Sequence, residues 1–132
     1  MIEDKGTFRF TYFTDKYDET CDFYSDKLEC EIGHSWDRSE NDKGSLFKLA
    51  RGVVEILHKP GIVEDRIPGL DYRTPQGVFM GIQVWDIDSL YQRCIDNEVP
   101  IQQEVVDQAW GHRSFSVIEP NGLVLFFYQE MF

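Results

Sequence analysis

Histidine and cysteine are the side chains that most often build metal and nucleophilic sites, and in this chain they are scattered. The histidines are His34, His58 and His112, and the cysteines are Cys21, Cys30 and Cys94, with no C-x-x-C spacing. A metal site usually needs three or four protein ligands. On a strand, His58 would point to the face opposite that of Glu55, three residues earlier. We therefore expect the histidines at structural or rim positions.

The cysteines favour a reducing compartment. Their odd number and lack of paired spacing predict free thiols, so we expect a cytoplasmic protein. Cys21 and Cys94 fall on apolar faces of predicted helices, where a small buried hydrophobe is the expected role. The N-terminal residues lack the cationic and apolar blocks of a signal peptide. No apolar run approaches the ~20 residues that a bilayer span needs.

Two extended segments, FRFTYFTD and GVFMGIQVWD, carry polar side chains among apolar ones. The first alternates with period two, so Phe8, Phe10 and Tyr12 share one face and Arg9, Thr11 and Phe13 the other. The second places Phe79, Gly81 and Gln83 on one face. A glutamine is easier to explain beside a wet cavity than under a helix. We therefore expect the faces with Arg9 and Gln83 to line a cleft, and the bulky apolar faces to pack under helices.

These segments belong to a unit that occurs twice. Lys16 and Asp86, Arg9 and Phe79, and Tyr24 and Cys94 form pairs separated by 70 positions. Such a period indicates one supersecondary unit built twice. The first copy predicts a helix over 17–28 and strands near 30–37, 45–50 and 52–58, with a hairpin turn at RSENDKG. The second predicts a strand near 78–85, a helix over 87–97, and strands near 102–106, 112–118 and 123–128.

The predicted fold class is α+β. Two βαβββ modules form mixed, curved sheets around a cleft, with the helices on the outer faces. We interpret residues 1–132 as one domain, with modules at 7–58 and 78–128. The proline-rich stretch 59–77 is the predicted linker.

Composition narrows the partners. Hydrophobic residues make up 42% of the chain, which is enough for a core, and the net charge is −11. That charge argues against nucleic acid and anionic membranes as partners. An acidic cleft would attract a cationic small molecule, although the charge is also typical of a well-solvated surface.

The helix entry DKYDETCDFYSDKLE and the ending WGHRSFSVIEPNGLVLFF resemble those of the vicinal oxygen chelate superfamily. This group includes glyoxalases, bleomycin-resistance proteins and extradiol dioxygenases. The resemblance implies paired βαβββ modules, usually in a dimer. In enzymatic members it also implies a divalent metal held by His, Gln or Glu on the first and last strand of each module.

Carried onto this chain, those ligand positions fall on Arg9, Glu55, Phe79 and Phe126, or Leu125 if the register slips by one. Arginine repels a dication and phenylalanine has no lone pair, so only Glu55 can bind a metal. One carboxylate cannot supply a whole site. We therefore expect neither a metal nor another cofactor. Glu55 is the sole candidate for a catalytic or metal-binding role.

In place of the metal, we expect Arg9 and Glu55 to form a charge-assisted pair that can be bidentate. Phe79 and Phe126 would form an aromatic wall opposite the pair, and Trp36 and Trp110 would be either pocket edges or core. The candidate ligand-binding residues are Arg9, Thr11, Phe13, Trp36, Glu55, Phe79, Gln83, Trp110 and Phe126. Alternatively, the Arg9–Glu55 pair only neutralises itself within a filled cavity.

The sequence thus favours a metal-independent, sequestering small-molecule-binding protein that resembles the bleomycin-resistance type. We expect a homodimer whose ligand is cationic or aromatic, with the exchange of modules between chains left open. The first alternative is a metal-dependent glyoxalase-type lyase, isomerase or dioxygenase that uses Glu55 with non-standard ligands. Acid–base catalysis through Glu55, or a structural or regulatory dimer without a ligand, also remain alternatives.

Overall fold

The fold is described from a computed structural model, which covers residues 1–40, 42–59, 73 and 75–132. The first module consists of five elements in the order strand, helix and three strands. They are β1 Arg9–Thr14, α1 Tyr17–Asp22 with a π-helical turn Phe23–Lys27, β2 Ile32–Ser39, β3 Asp42–Leu49 and β4 Gly52–His58.

The second module repeats this order of elements. They are β5 Phe79–Gln83, α2 Ile87–Asp96, β6 Ile101–Asp107, β7 His112–Ile118 and β8 Val124–Glu130. Each module therefore has the βαβββ arrangement expected from the sequence. Most of the predicted linker, residues 60–72 and 74, lies outside the described residues.

Each module forms one four-stranded mixed sheet. The strand orders are β1-β4-β3-β2 and β5-β8-β7-β6. In both sheets the first strand pairs in parallel with the last one, and the other pairings are antiparallel. This topology places β1 beside β4, and so brings the residues of the two strands that carry the candidate site next to each other.

One face of each sheet packs under its helix. Tyr17, Cys21, Tyr24 and Leu28 form a stripe at helical spacing, and all four belong to the core or pack against it. On α2, the Asp86 side chain caps the N-terminus by accepting a hydrogen bond of 3.2 Å from the Ser89 backbone N–H. The buried residues of both modules form one continuous cluster, which includes Tyr12, Phe47 and Ile56 from the first and Ile82, Phe115 and Phe127 from the second.

The two modules follow the offset of 70 residues over most of their length. β1 and β5, α1 and α2, and β3 and β7 each begin 70 positions apart. The last strands depart by one residue, because Thr11 pairs with Glu55 whereas Gly81 pairs with Phe126. The turn before β8 is accordingly longer than the turn before β4.

That longer turn holds the modules together. Glu119 is buried, with 2% of its surface exposed. Its Oε2 accepts hydrogen bonds from the Tyr12 hydroxyl at 2.8 Å and the Asn121 side-chain amide at 2.8 Å. Its Oε1 accepts from the backbone N–H groups of Asn121 at 2.6 Å and Leu123 at 2.9 Å. Four donors thus satisfy a carboxylate that would otherwise be costly to bury.

Further hydrogen bonds extend this contact, which we call the sealed junction: the end of β1 (residues 12–14) against the turn 119–123. Tyr24 shares a hydrogen bond of 3.0 Å with Tyr12, and Thr14 donates to the Asn121 side chain at 2.6 Å. At the helix ends, Arg93 pairs with Glu29 at 2.6 Å. The modules therefore share polar contacts as well as a core.

Several element boundaries differ from the sequence predictions. The first hairpin is longer than expected, since β2 and β3 run over Ile32–Ser39 and Asp42–Leu49 instead of 30–37 and 45–50. The strand pairing continues through most of the predicted polar turn, and Trp36 and Arg38 both donate hydrogen bonds to Asp42 across it. β5 is shorter than the predicted 78–85, because its residue-by-residue pairing with β8 extends only over Phe79–Gln83. In the described part of the chain, no helix has the length and apolar character needed to cross a membrane.

Candidate functional site

The open face of the first sheet carries a polar cluster of Arg9, Thr11 and Glu55. Thr11 lies directly across from Glu55 in the parallel register, and its hydroxyl donates a hydrogen bond of 2.9 Å to Glu55 Oε1. Arg9 Nη1 lies 3.4 Å from the other carboxylate oxygen, Oε2. The Arg9 side chain is 51% exposed and that of Glu55 14%. The pair predicted from the sequence is thus present, with the arginine half exposed and the carboxylate mostly covered.

Arg9 and Glu55 do not form the bidentate pair that the sequence allowed. Arg9 makes one long contact with the carboxylate, because Thr11 occupies the other oxygen. Since the arginine is half exposed, the pair is screened by water and contributes little to stability.

Trp36 lies on the same face, at the opposite side of the sheet. It pairs across the hairpin with Gly44, and its ring stacks on His34 at 5.6 Å between centroids. A Cβ on Gly44 would overlap the Trp36 ring and the Leu57 side chain. The indole N–H donates to Asp42 at 3.0 Å. Trp36 is therefore held against the sheet surface. Phe13, on β1, is buried.

The open face of the second sheet carries a row of aromatic rings. Phe79 and Phe126 meet edge to face at 5.8 Å, and Phe126 is followed by Tyr128 at 6.2 Å. Tyr128 stacks on His112 at 4.8 Å. The register decides between the two predicted alternatives at the last strand: Phe126 shares this face, whereas Leu125 is fully buried in the core on the other.

The two remaining site candidates lie at the ends of this face. Trp110 is 60% exposed and touches His112 edge-on at 6.3 Å. Gln83 ends β5 opposite Tyr128 and is partly buried. The structure therefore brings the candidates together in two groups on two sheets: Arg9, Thr11 and Glu55 in one, Phe79 and Phe126 in the other. Their role in ligand binding remains a prediction.

The residues present do not fit a metal centre. Among the described residues, no three potential ligands (His, Cys, Asp or Glu) lie close enough together to hold an ion. His34 stacks on Trp36, His112 stacks on Tyr128, and His58 lies on the helix side of its sheet against Tyr17. Of the four family ligand positions only Glu55 offers an oxygen, and that carboxylate already accepts from Thr11 and Arg9.

The thiols are poor nucleophiles. All three cysteines are free and at least partly buried. Burial raises the pKa of the Cys30 and Cys94 thiols to about 11 and also raises the pKa of Cys21. Because the thiolate is the reactive form, neutral pH leaves these side chains protonated.

A cavity of about 760 Å³ opens between the two modules. Its walls come from β1, β4 with the turn before it, and β5. The lining residues are Gly6, Phe8, Phe10, Leu49, Ala50, Arg51, Gly52, Val53, Val54, Phe79, Met80, Gly81, Ile82, Gln83 and Trp85. Phe79 and Gln83 are the two candidates from the sequence that line it. Its size and mostly apolar walls are those of a small-molecule pocket.

Sequence reasoning missed most of this lining. Phe8 and Phe10 were expected under the helix with Tyr12, but Phe8 precedes β1 and is 76% exposed at the cavity. Phe10 does pack against the core, and it lines the cavity as well. The missed signal was in the repeat, because the offset of 70 places Ile82 where the first copy has the larger Tyr12.

The chain belongs to the Glyoxalase/Bleomycin resistance protein/Dioxygenase superfamily, whose family model matches residues 7–127. The resemblance noted in the sequence is thereby confirmed, and the fold agrees with it. No curated protein matches the sequence significantly.

Solved structures with this fold cover nearly the whole chain. A glyoxalase/bleomycin resistance protein/dioxygenase from Alicyclobacillus acidocaldarius has a TM-score of 0.70 and 20% identity, and the match covers 100% of this chain and 96% of that one. TioX from Micromonospora sp. ML1 has a TM-score of 0.69 and 14% identity, covering 95% and 98%. Lactoylglutathione lyase from Agrobacterium tumefaciens has a TM-score of 0.71 and 15% identity, covering 94% and 92%. At these identities the likeness shows the fold alone.

Proposed function

We propose that this chain binds a small organic molecule without a metal ion, as a sequestering protein of the bleomycin-resistance type. The observation that carries the proposal is the chemistry at the four positions where the metalloenzymes of the family hold their ion. Three of them are Arg9, Phe79 and Phe126, and the fourth, Glu55, is already engaged by Thr11 and Arg9. The permanent positive charge of Arg9, beside Glu55, would repel a divalent metal ion bound at that carboxylate.

The cavity between the modules supports the binding half of the proposal. Its volume of about 760 Å³ falls within the range of small-molecule pockets, and it opens to solvent. Three aromatic residues on its wall remain largely exposed: Phe8 at 76%, Phe79 at 65% and Trp85 at 82%. Apolar surface gathered around a concave site is typical of a binding surface.

The proposal includes assembly as a homodimer in the cytoplasm. The free thiols support a reducing compartment. The outer strands β2 and β6 are mostly exposed along their length, and an exposed sheet edge favours pairing with another chain.

Two measurements on the purified protein test the absence of a metal. They are elemental analysis and thermal unfolding with and without a chelator. We expect no stoichiometric zinc, nickel, iron or manganese and an unchanged Tm. About one metal ion per chain, removed by chelator with a fall in Tm, would support the glyoxalase-type alternative and overturn the proposal. Arg9→His is the comparison variant, because it places a metal ligand beside Glu55. We expect metal binding to be negligible in the unmodified protein and higher in this variant.

A further inference from the structure

Because the unit is repeated, the modules have two equivalent regions where a first strand faces the turn before a last strand. Side chains close only one of these two junctions. In the sealed junction, two residues of β1 bond to the turn before β8: Tyr12 donates to Glu119 and Thr14 donates to Asn121. The offset of 70 places Ile82 at the position of Tyr12, Leu49 at that of Glu119 and Arg51 at that of Asn121. Ile82, Leu49 and Arg51 all line the cavity. We call this second place the open junction: β5 against the turn 49–52.

The substitutions between the copies explain why the second junction is open. Isoleucine is smaller than tyrosine and has no hydroxyl to donate, and leucine has no carboxylate to receive a hydrogen bond. Cys94 likewise replaces Tyr24, which extends the network in the first copy. Without these partners the second junction has neither the volume nor the hydrogen bonds that close the first one.

Within the open junction, one lining side chain carries a charge. Among the described lining residues Arg51 is the single ionisable one and Gln83 the single amide, and the others are apolar or glycine. A carboxylate-free wall gives a cationic ligand no ion-pair partner there, and Arg51 repels it. An anionic ligand, in contrast, would find a guanidinium with five donors.

Arg51 also differs from four other arginines of the chain. Arg9, Arg38, Arg93 and Arg113 each lie within 3.4 Å of a carboxylate. Arg51 has no carboxylate at ion-pair distance in the part of the chain that the structure describes, although the chain contains 24 acidic residues. An arginine left unpaired at the wall of an apolar cavity is suited to binding a carboxylate or another planar anion.

We propose that the open junction binds an aromatic molecule with one anionic group, its ring against Phe8, Phe79 and Trp85 and its anion on Arg51. This inference rests on the proposed small-molecule function and names its ligand class. The ring would cover aromatic surface that is now exposed. The preference for an anion is opposite to the cationic ligand that net charge alone would suggest.

Three naphthalene probes of similar size test the inference: 2-naphthoate, the isosteric neutral 2-naphthamide and the cationic 2-naphthylmethylammonium, each titrated while tryptophan fluorescence is followed. We expect naphthoate to bind most tightly. A charge-assisted hydrogen bond to Arg51 corresponds to about 10- to 100-fold in Kd relative to the amide. In Arg51→Met that advantage should disappear while the affinity for naphthamide stays unchanged. Arg38→Met is the control, because Arg38 lies outside the cavity and pairs with Asp42.

Two variants test the place of binding. Ile82→Tyr introduces the larger side chain of the sealed junction and should abolish binding of all three probes. Gly81→Leu serves the same purpose if Ile82→Tyr fails to fold, since a Cβ at Gly81 would meet only Tyr128, at 3.9 Å. Correct folding is checked by Tm and circular dichroism.

The outcomes distinguish a failure of this inference from a failure of the proposed function on which it rests. Equal affinity for the three probes, or no change in Arg51→Met, overturns the anionic ligand class and leaves metal-independent binding intact. Binding that survives a folded blocking variant, or no binding of naphthoate at millimolar concentration, overturns the site. A stoichiometric metal in the purified protein, in contrast, overturns the proposed function itself.

Discussion

Tyr12 and Glu119 lie 107 positions apart in the chain, and the Tyr12 hydroxyl donates a hydrogen bond of 2.8 Å to the Glu119 carboxylate. Both side chains are buried, so this contact joins the modules through a charge that water does not reach. Burial, with the charge of Glu119 and the nearby Tyr24 hydroxyl, raises the pKa of Tyr12 well above its ordinary value. The hydroxyl therefore stays protonated and keeps its role as the donor.

Replacing this donor should weaken the whole fold. In Tyr12→Phe the buried carboxylate loses one of its four donors, and we expect the free energy of unfolding to fall by about 1–3 kcal/mol. Tyr17→Phe is the matched control, because Tyr17 contacts the neutral Ser45 hydroxyl at 2.7 Å and lies within one module. In Tyr17→Phe the free energy of unfolding should fall by about 0.5–1.5 kcal/mol. Urea unfolding measures both, and a smaller effect for Tyr12→Phe than for the control would contradict a structural role for the Glu119 contact.

The Arg9–Glu55 pair should show weak coupling. The arginine is 51% exposed and the closest contact is 3.4 Å, so a double-mutant cycle with Arg9→Met and Glu55→Leu should give about 0.2–1 kcal/mol. Raising the salt concentration to 1 M should reduce that value. A coupling of several kcal/mol would mean that the pair is fully buried in solution, as it would be beneath a ligand or a second chain.

Stability should fall as the pH rises above about 9. Burial holds the pKa of Cys30 and Cys94 at about 11, whereas the pKa of an unfolded cysteine is about 8.5. Between these values the unfolded chain has lost protons that the folded chain retains, so the free energy of unfolding decreases with pH. The raised pKa of Tyr12 and Tyr24 acts in the same direction at still higher pH.

Urea unfolding at pH 8, 9, 10 and 11 measures this dependence, and the Cys94→Ala variant should show a shallower decline than the parent. A flat profile over that range would mean that the thiols titrate normally in the folded protein. Slow alkylation by iodoacetamide at pH 8 provides a second reading of the same pKa values.

Light scattering tests the predicted dimer. We expect a mass about twice the chain's 15.5 kDa at micromolar concentration. Charges added to the exposed edge strand β2, for example Ser35→Lys, should shift the mass toward one chain if that edge forms the interface. A mass of one chain for the unmodified protein would remove the dimer from the proposal.

The sequence predicted the fold well because the fold depends on patterns that survive in a single chain. The alternation at 8–13 and the helical stripe from Tyr17 to Leu28 each follow from backbone geometry, and the 70-residue repeat shows that the unit is built twice. The contact between Arg9 and Glu55 could be anticipated for the same reason, since parallel pairing of the first and last strands brings them together.

The cavity could not be predicted in this way. It depends on how the modules pack against each other, which is decided by a few buried groups such as Glu119 that look like ordinary turn residues in the sequence. The one-residue difference between the last strands is also invisible until the pairing is known, so the alternatives Phe126 and Leu125 could be separated only by the register. Packing between distant segments, unlike strand alternation, leaves no local period.

The unequal junctions have a consequence for how this chain can change through evolution. A doubled unit supplies every structural role twice, and here the hydrogen bonds that join the halves at the sealed junction are made by Glu119 and Asn121. Replacements around Glu119 should be selected against because they leave a buried carboxylate without its donors and so destabilise the fold. Arg51, Leu49 and Ile82 take no part in these hydrogen bonds, so the lining can diversify at Arg51 and through apolar exchanges at Leu49 and Ile82, which also pack in or against the core. Duplication thus separates the part of the molecule that must be conserved from the part that is able to acquire new ligands.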